Sequence, residues 1–434
     1  MSEMKTFFKY VIPAILSFAL SGVYAIVDGF FVGHSVGDLG LSAINVAYPV
    51  SAILQAAGTG IGMGGAVYYS ISRAEKKENR AREFTAATLW MLLLFSVILT
   101  LLTFVLNRPI LQLLGAEGQL LALGGEYNRV IALGAGLQIL STGLIPFIRN
   151  HGGPFYAMIS MIGGFITNVI LDYLFVWVLG GGLTGAALAT IIGQGVTLLF
   201  ALVYFFREKM FQLKIAPGKI RTLSKSIIKV GISPFGLTMT PNISLIIINR
   251  FSIFYGGDQA VAVYACISYI ICIVYLIFQG VGDGSQPIIS RYYGEKSLVR
   301  LKKIRKLAYG CGIILAAVSC VILYGTRDLI GILFGSSAEV NAQIGGILPI
   351  FLISVPFVAV TRVTTASFYA IEESILSYIL TYIEPVLMLL LMLVLPPLFD
   401  GQIMIWWSTV IARILAAVLA LILKQTVDRR KLAG

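Results

Sequence analysis

Four side chains that can hold a proton or a small cation lie within otherwise apolar stretches of this sequence. Asp28 lies in the first stretch, and Asn168 and Asp172 lie four residues apart in a later one. Residues four apart share one face of a helix, so this amide and carboxyl should point the same way. Thr190 lies in the next stretch. Carboxyl, amide and hydroxyl oxygens suit a hard monovalent cation, or a proton shared between two acids.

The elements that position these residues are predicted to be membrane helices. The 434 residues are 58% hydrophobic and only 12% charged, and the mean hydropathy is +0.91. A soluble protein could not bury that much apolar surface. The strand-like alternation of a membrane barrel is absent. Apolar stretches of about 20 residues can cross a bilayer, so we predict an all-helical multi-pass protein with twelve spans, at 7–33, 40–70, 86–106, 120–147, 154–180, 183–206, 223–250, 258–288, 303–325, 341–369, 372–398 and 402–424.

The polar residues are predicted to lie at one depth in the membrane. Asp28 is five residues from the outer end of its span, Asp172 is eight from Gly180, and Thr190 is seven from Leu183. With a rise of about 1.5 Å per residue, all three fall roughly 10 Å below the outer face. Polar groups in a bilayer are costly unless they are solvated or paired, which makes the cluster a candidate site. The alternative is that Asp28 lies at a mobile, wet helix end and has no role.

The sequence repeats at a fixed offset of 220 residues. Gly37-Asp38 recurs as Gly257-Asp258, and Glu75-Lys76 recurs as Glu295-Lys296. Internal repeats in an apolar chain are typical of transporters.

Each half contains six spans, so both halves should enter the membrane in the same orientation, as a parallel repeat. We predict two six-helix lobes, residues 1–220 and residues 221–434. The position of Asp172 is occupied by Met392 in the second half, and the other three polar positions are apolar there as well. This loss predicts a single ion site, in the first lobe.

The distribution of basic residues predicts the topology. If the N terminus is cytoplasmic, 26 of the 32 Lys and Arg residues fall in inner loops and termini, while the outer loops hold only Arg108 and Arg327. Such an excess is typical of cytoplasmic loops. We therefore expect both termini to be cytoplasmic, in the plasma (inner) membrane of the cell. The net charge of +12 is explained by this topology and does not indicate nucleic-acid binding.

The sequence contains no motif of an enzyme, a cofactor site or a structural metal site. The four cysteines form no CxxC pair and the two histidines are far apart. No phosphate-binding loop of the type GxxxxGK(S/T) and no GxSxG elbow is present. An intramembrane enzyme is therefore disfavoured, no cofactor is expected, and transport would have to be driven by an ion gradient.

The sequence resembles the multidrug and toxic compound extrusion (MATE) family over essentially its whole length. The resemblance rests on the six-plus-six spans and on the segments VDGFFVG at 27–33, NVILD at 168–172 and GVGDGSQP at 280–287. It implies two six-helix lobes and cation-coupled efflux of bulky, often cationic amphiphiles. In the branch that this chain resembles, the cation site lies in the first lobe. Carried over by position, the site consists of Asp28, Asn168, Asp172 and Thr190, with Pro13 at a helix bend.

Three further residues are candidates for contact with substrate. Tyr24 lies one turn before Asp28, and Gln194 lies one turn after Thr190, so both can face the interior of the first lobe.

The third candidate, Glu384, lies near mid-membrane in the eleventh span. A buried ion pair with Arg413 or Arg362 would explain its presence, because an unpaired charge at that depth is expensive. The alternative is that Glu384 faces a central cavity and attracts a cationic substrate.

These features predict a secondary active multidrug exporter. We expect antiport of small drug-like compounds against H⁺ or Na⁺ by alternating access, performed by a monomer in the lipid bilayer, with no metal other than Na⁺ at the cation site. The alternative is a flippase for lipid-linked precursors, whose cavity should be ringed by arginines that hold pyrophosphate. The anionic character of the polar cluster favours a cationic ligand.

Overall fold

A computed structural model describes residues 2–216, 218–334, 337–399 and 401–431. For Ala25, Asp38, Asp258 and Leu333 it describes the backbone but not the side chain. The chain is helical in nearly all of these ranges. In chain order the elements are α1 (Glu3–Val36), α2 (Asp38–Ala74), α3 (Glu78–Val105), α4 (Asn107–Leu113), α5 (Gly118–Leu133), α6 (Ala135–His151), α7 (Pro154–Asp172), a π-helix (Tyr173–Val178), α8 (Gly182–Arg207), α9 (Ile220–Gly294), α10 (Leu298–Gly325), a 3₁₀ turn (Arg327–Leu329), α11 (Ile330–Leu333), α12 (Ala338–Ala370), α13 (Ser374–Leu398) and α14 (Gly401–Lys431).

The prediction of twelve membrane spans is confirmed. In the described part of the chain, 11 helical segments are long and apolar enough to cross a bilayer, with α9 counted as two, Ile220–Gly257 and Gln259–Gly294, because the backbone is not helical at Gly257. The pair α5 and α6, bent by 56° at a short break, is the twelfth when it is counted as one span. Each predicted span corresponds to one of these segments or, for 120–147, to the bent pair. Most of the helices are longer than the apolar stretches, because helical hydrogen bonds are internal and can continue into the aqueous loops.

The repeat extends to the backbone conformation. Gly37 has φ 76° and Gly257 has φ 65°, at the junction of the first and second spans of each half. Lys76 and Lys296, which follow the second spans, have φ values of 61° and 54°. A left-handed conformation is uncommon for a residue with a side chain. Its recurrence at equivalent positions indicates that the two halves use the same turns.

The chain divides into two compact units. The first, here called the N-unit, comprises Leu20–Met239 and Tyr293–Glu295, and the second, the C-unit, comprises Met1–Ala19, Thr240–Tyr292 and Lys296–Gly434. The boundaries at 19/20 and 239/240 lie within α1 and α9, about 20 residues into each half of the repeat. The lobe boundary at residue 220 concerns the sequence repeat and stays a prediction.

The repeated glycines are sites of close helix contact within each unit. In the N-unit, Gly64 of α2 packs against the backbone carbonyl of Ile227 in α9. In the C-unit, a methyl group placed on the equivalent Gly284 would lie 2.8 Å from the Cα atom of Val11 in α1. Small residues at such contacts let membrane helices approach closely, which explains why the glycines recur.

The C-unit contains a buried ion pair between α13 and α14. Arg413 Nε donates to Glu384 Oε1 at 3.0 Å, and the two side chains are 5% and 17% exposed. Arg413 also donates through Nη1 to Ser354 Oγ at 3.4 Å. The rival arginine, Arg362, donates to Gln279 Oε1 at 3.5 Å. Of the two arginines predicted as partners of Glu384, Arg413 is the one that it bonds. Contact of Glu384 with substrate stays a prediction.

Removing the acid from this pair should destabilise the protein. Glu384→Gln leaves the buried Arg413 uncompensated, and we expect a loss of about 3 kcal/mol in the free energy of unfolding. The double variant Glu384→Gln, Arg413→Met should recover much of that loss. Thermal unfolding of the three purified proteins in detergent measures both effects. A Glu384→Gln variant as stable as the wild type would show that the pair does not contribute to folding.

Candidate cation site

The predicted cation-site residues lie on three helices of the N-unit. Asp28 is on α1, Asn168 and Asp172 are on α7, and Thr190 is on α8. Asn168 and Asp172 are buried, with 2% and 0% exposed surface, whereas Asp28 and Thr190 are half-buried. The contacts described below bring all four side chains into one cluster.

Asn168 links α7 to α8. When its carboxamide is assigned by its hydrogen bonds, Nδ2 donates to Asp172 Oδ2 at 2.9 Å and Oδ1 accepts from the Thr190 backbone N–H at 3.0 Å. The Thr190 hydroxyl donates to the Ala186 carbonyl at 3.0 Å. Its only proton is thereby used within α8, so toward the cluster the hydroxyl oxygen can act as an acceptor.

The carboxyl groups of Asp28 and Asp172 lie next to each other. In each residue Oδ1 is buried and has no hydrogen-bond partner among the described residues. Two adjacent carboxylates cannot both stay ionised in an apolar surrounding without a counter-charge. The pair can therefore hold a proton, and the two unpaired oxygens are available as ligands for a small cation.

Two tyrosines adjoin this cluster. The phenols of Tyr24 and Tyr127 both interact with the Thr190 hydroxyl, and Tyr127 is 5% exposed. The ring of Tyr24 stacks on Phe165, with centroids 5.3 Å apart. The spacing of Tyr24 from Asp28 in the sequence predicted that it faces the interior of the first lobe, and its contact with substrate stays a prediction. Tyr127 was missed, because the rotation of α5 relative to α8 is not encoded in the local pattern.

Gln194 lies one turn beyond Thr190 on α8 and is half-buried. Its Oε1 accepts a hydrogen bond from Ser141 Oγ of α6 at 2.7 Å. The amide oxygen is thus held in the contact between two helices. A role for Gln194 in substrate binding stays a prediction.

Pro13 lies within α1, in the part of that helix that belongs to the C-unit. The helix begins at Glu3, so Pro13 is internal and does not cap the start of the helix. Ser17 Oγ donates to the Pro13 carbonyl at 2.7 Å. The role of Pro13 as a bend stays a prediction.

The helix geometry changes directly after Asp172. The π-helix Tyr173–Val178 follows α7 without a break, and Ser35 Oγ of α1 donates to the Val176 carbonyl within it at 3.2 Å. Short π-helical turns are rare in proteins, and those that occur are often found at functional sites. No local pattern of residues predicted this change of helix type.

Within the described ranges, no group of three or more His, Cys, Asp and Glu side chains is placed to hold a metal ion. The cluster instead presents two carboxyls, an amide and a hydroxyl. These hard oxygen donors fit H⁺ or Na⁺ better than a transition metal.

A polytopic helical chain with two repeated halves and a pair of acids inside one of them has an architecture found in membrane transporters. The MatE family model matches residues 13–174 and residues 234–394, one match in each half of the repeat. The chain belongs to the MatE family, as its resemblance to MATE transporters predicted. It is therefore a transporter and not an enzyme.

Similar proteins of known name are bacterial exporters. The chain is 28% identical over 442 residues to the multidrug export protein MepA of Staphylococcus saprophyticus, covering 99% of this chain and 97% of the relative. It is 26% identical over 423 residues to MepA of Staphylococcus aureus, covering 96% of this chain and 93% of that protein.

Solved structures have the same fold. An outward-facing multidrug resistance MATE family transporter of the MOP superfamily superposes with a TM-score of 0.92 at 22% identity, over 100% of this chain and 97% of that one. A MATE in the bent conformation superposes with a TM-score of 0.89 at 21% identity, over 100% and 98% of the two chains.

Proposed function

We propose that this chain is a secondary multidrug exporter that couples efflux to the entry of H⁺ or Na⁺. The observation that carries the proposal is the adjacent pair of Asp28 and Asp172, each with one buried carboxyl oxygen lacking a hydrogen-bond partner among the described residues. The name of the MepA relatives, which align over nearly the full length of both chains, supports multidrug export.

Because of the carboxyl pair, the free energy of the transporter depends on whether a cation is bound. With a proton or Na⁺ bound, the cluster loses one negative charge and is cheaper to keep in an apolar surrounding. Without it, Asp28 and Asp172 repel each other. A site whose energy depends on occupancy biases the protein between two conformations. Alternating access follows when the site opens to the outside in one conformation and to the inside in the other.

The substrates we propose are bulky amphiphilic compounds, many of them cationic. The stacked rings of Tyr24 and Phe165 offer an aromatic surface beside the acid pair, and such surfaces attract organic cations. Antiport then follows from competition, because a cationic substrate and the coupling ion both favour the negatively charged site. Gln194 and Glu384 remain candidates for further substrate contacts.

The flippase alternative is less well supported. It would need arginines available to hold a pyrophosphate group. Within the membrane spans of the C-unit, Arg413 is bonded to Glu384 and Arg362 to Gln279. Glu384 compensates the charge of Arg413, and both arginines are bonded to side chains of the protein itself.

The proposed arrangement has two lobes, residues 1–220 and 221–434, with both termini in the cytoplasm. The excess of basic residues in the inner loops supports this orientation. We propose that the protein works as a monomer in the plasma membrane, and that no cofactor takes part, since the ion gradient supplies the driving force.

Replacing Asp172 should uncouple transport. Asp172→Asn keeps the shape of the side chain and removes its titrating charge, so gradient-driven efflux should fall to background while protein amount stays near normal. Asp28→Asn should behave alike. The measurement is efflux of a fluorescent cationic dye from vesicles under an imposed pH or Na⁺ gradient, and the gradient that drives it identifies the coupling ion.

Asp328→Asn is a matched control for these variants, because the Asp328 side chain is 75% exposed and lies outside the cluster. Its efflux should equal that of the wild type. Wild-type rates in Asp172→Asn or Asp28→Asn would contradict the proposed site.

The methionines at the equivalent positions of the C-unit should not take part in ion coupling. Met388 and Met392 are both 0% exposed, and a thioether does not hold H⁺ or a hard cation. Replacing each with alanine should lower stability by about 2–5 kcal/mol and leave the number of ions per substrate unchanged. A changed ion stoichiometry, measured from the balance point of opposing gradients, would count against a site confined to the first half.

A further inference from the structure

Helices α7 and α8 meet at two glycines, Gly164 and Gly193. A methyl group placed on Gly193 would lie 2.8 Å from the Gly164 carbonyl oxygen and 3.0 Å from Cβ of Asn168. A methyl group placed on Gly164 would lie 2.7 Å from the Gly193 carbonyl oxygen and would overlap the Thr197 hydroxyl. Neither position can hold a side chain unless the two helices move apart.

This glycine contact adjoins the hydrogen bonds of the cation site. Gly164 is one turn before Asn168 on α7, and Gly193 is three residues after Thr190 on α8. Asn168 binds Asp172 on its own helix at 2.9 Å and the Thr190 backbone on the other helix at 3.0 Å. Hydrogen bonds weaken steeply beyond such distances. The separation of the two helices therefore decides whether Asn168 can reach both partners.

The second half of the repeat has charged residues in place of these two glycines. The positions of Gly164 and Gly193, displaced by 220 residues, are Glu384 and Arg413. These two side chains bridge α13 and α14 with their ion pair, so two long side chains fill the place of the glycine contact. The glycine contact and the polar cluster occur together in the first half, and other residue types stand at the equivalent positions of the second half.

We propose that the contact between Gly164 and Gly193 positions the cation site by fixing the distance between Asn168 and Thr190. The two glycines thus act as positioning residues that set the affinity for the coupling ion. The inference rests on the proposed ion-coupled function. A contact that served only to pack the helices would affect stability and protein amount but would not change the dependence on the ion.

The test variant is Gly193→Ala. The added methyl group should displace Asn168 and raise the cation concentration for half-maximal efflux by about 10-fold, the usual scale for loss of a supporting contact at an ion site. For H⁺ coupling this is a shift of one unit to lower external pH, and for Na⁺ it is a tenfold higher concentration.

Gly195→Ala is the matched control, because it lies two residues further along α8. A methyl group there would meet only Leu137 Cδ1, at 3.6 Å, which is an ordinary contact. Its ion dependence should equal that of the wild type.

Ion binding is also measured directly, by the stabilisation of the purified proteins against heat as pH or Na⁺ concentration is varied. The half-stabilising concentration should shift in Gly193→Ala and not in Gly195→Ala. If Gly193→Ala changes only protein amount or stability, with wild-type ion dependence in both assays, the proposal is overturned.

If Gly193→Ala does not accumulate, the double variant Gly164→Ala, Thr197→Ala takes its place. Thr197→Ala removes the hydroxyl that a methyl group on residue 164 would overlap, which leaves the contact with the Gly193 carbonyl. The same direction of shift is expected.

Efflux without ion dependence in the wild type, or full activity in Asp172→Asn, would refute the proposed function itself. If the wild type is ion-dependent and Asp172→Asn is inactive, wild-type ion dependence in the glycine variants overturns only the positioning role.

Discussion

The arrangement of side chains in the N-unit depends on the free-energy cost of keeping two carboxyl groups side by side in an apolar surrounding. Asp28 and Asp172 interact directly, and each has an oxygen that no described residue satisfies. Hydrocarbon cannot solvate such groups, so their charge must be balanced by something that binds. In a transporter this requirement is useful, because the balancing ion can arrive from one side of the membrane and leave on the other.

The surrounding residues keep this costly pair in place. Asn168 holds Asp172 with one end of its carboxamide and the Thr190 backbone with the other. Tyr127 closes the cluster from α5. The bare glycine surfaces of α7 and α8 allow these short bonds to form between two helices. Each group is ordinary by itself, and their common effect is to hold an ionisable pair where water cannot easily compensate it.

The C-unit solves the same problem of buried charge within the protein. Glu384 and Arg413 neutralise each other, so no external ion is required there. The two halves share their span count, their turns and their glycine contacts, yet they differ at the positions that decide the chemistry. A duplicated scaffold can therefore carry the proposed ion site in one copy and an ion pair in the other.

The sequence by itself determined the spans, the repeat and the choice of the four polar residues that the structure brings into one cluster. These features depend on local quantities: the length of an apolar stretch, the fixed rise of a helix and the four-residue spacing of Asn168 and Asp172. The sequence also predicted the two possible ion-pair partners of Glu384, Arg413 and Arg362, since few charged residues lie at its depth.

Only the tertiary structure decided which side chains meet across helices. It brought Tyr127 to Thr190, paired Glu384 with Arg413 instead of Arg362, and placed a π-helix directly after Asp172. These outcomes depend on how each helix is rotated about its axis and how closely it approaches its neighbours. Packing between segments far apart in the chain sets both, and no local pattern of residues specifies it.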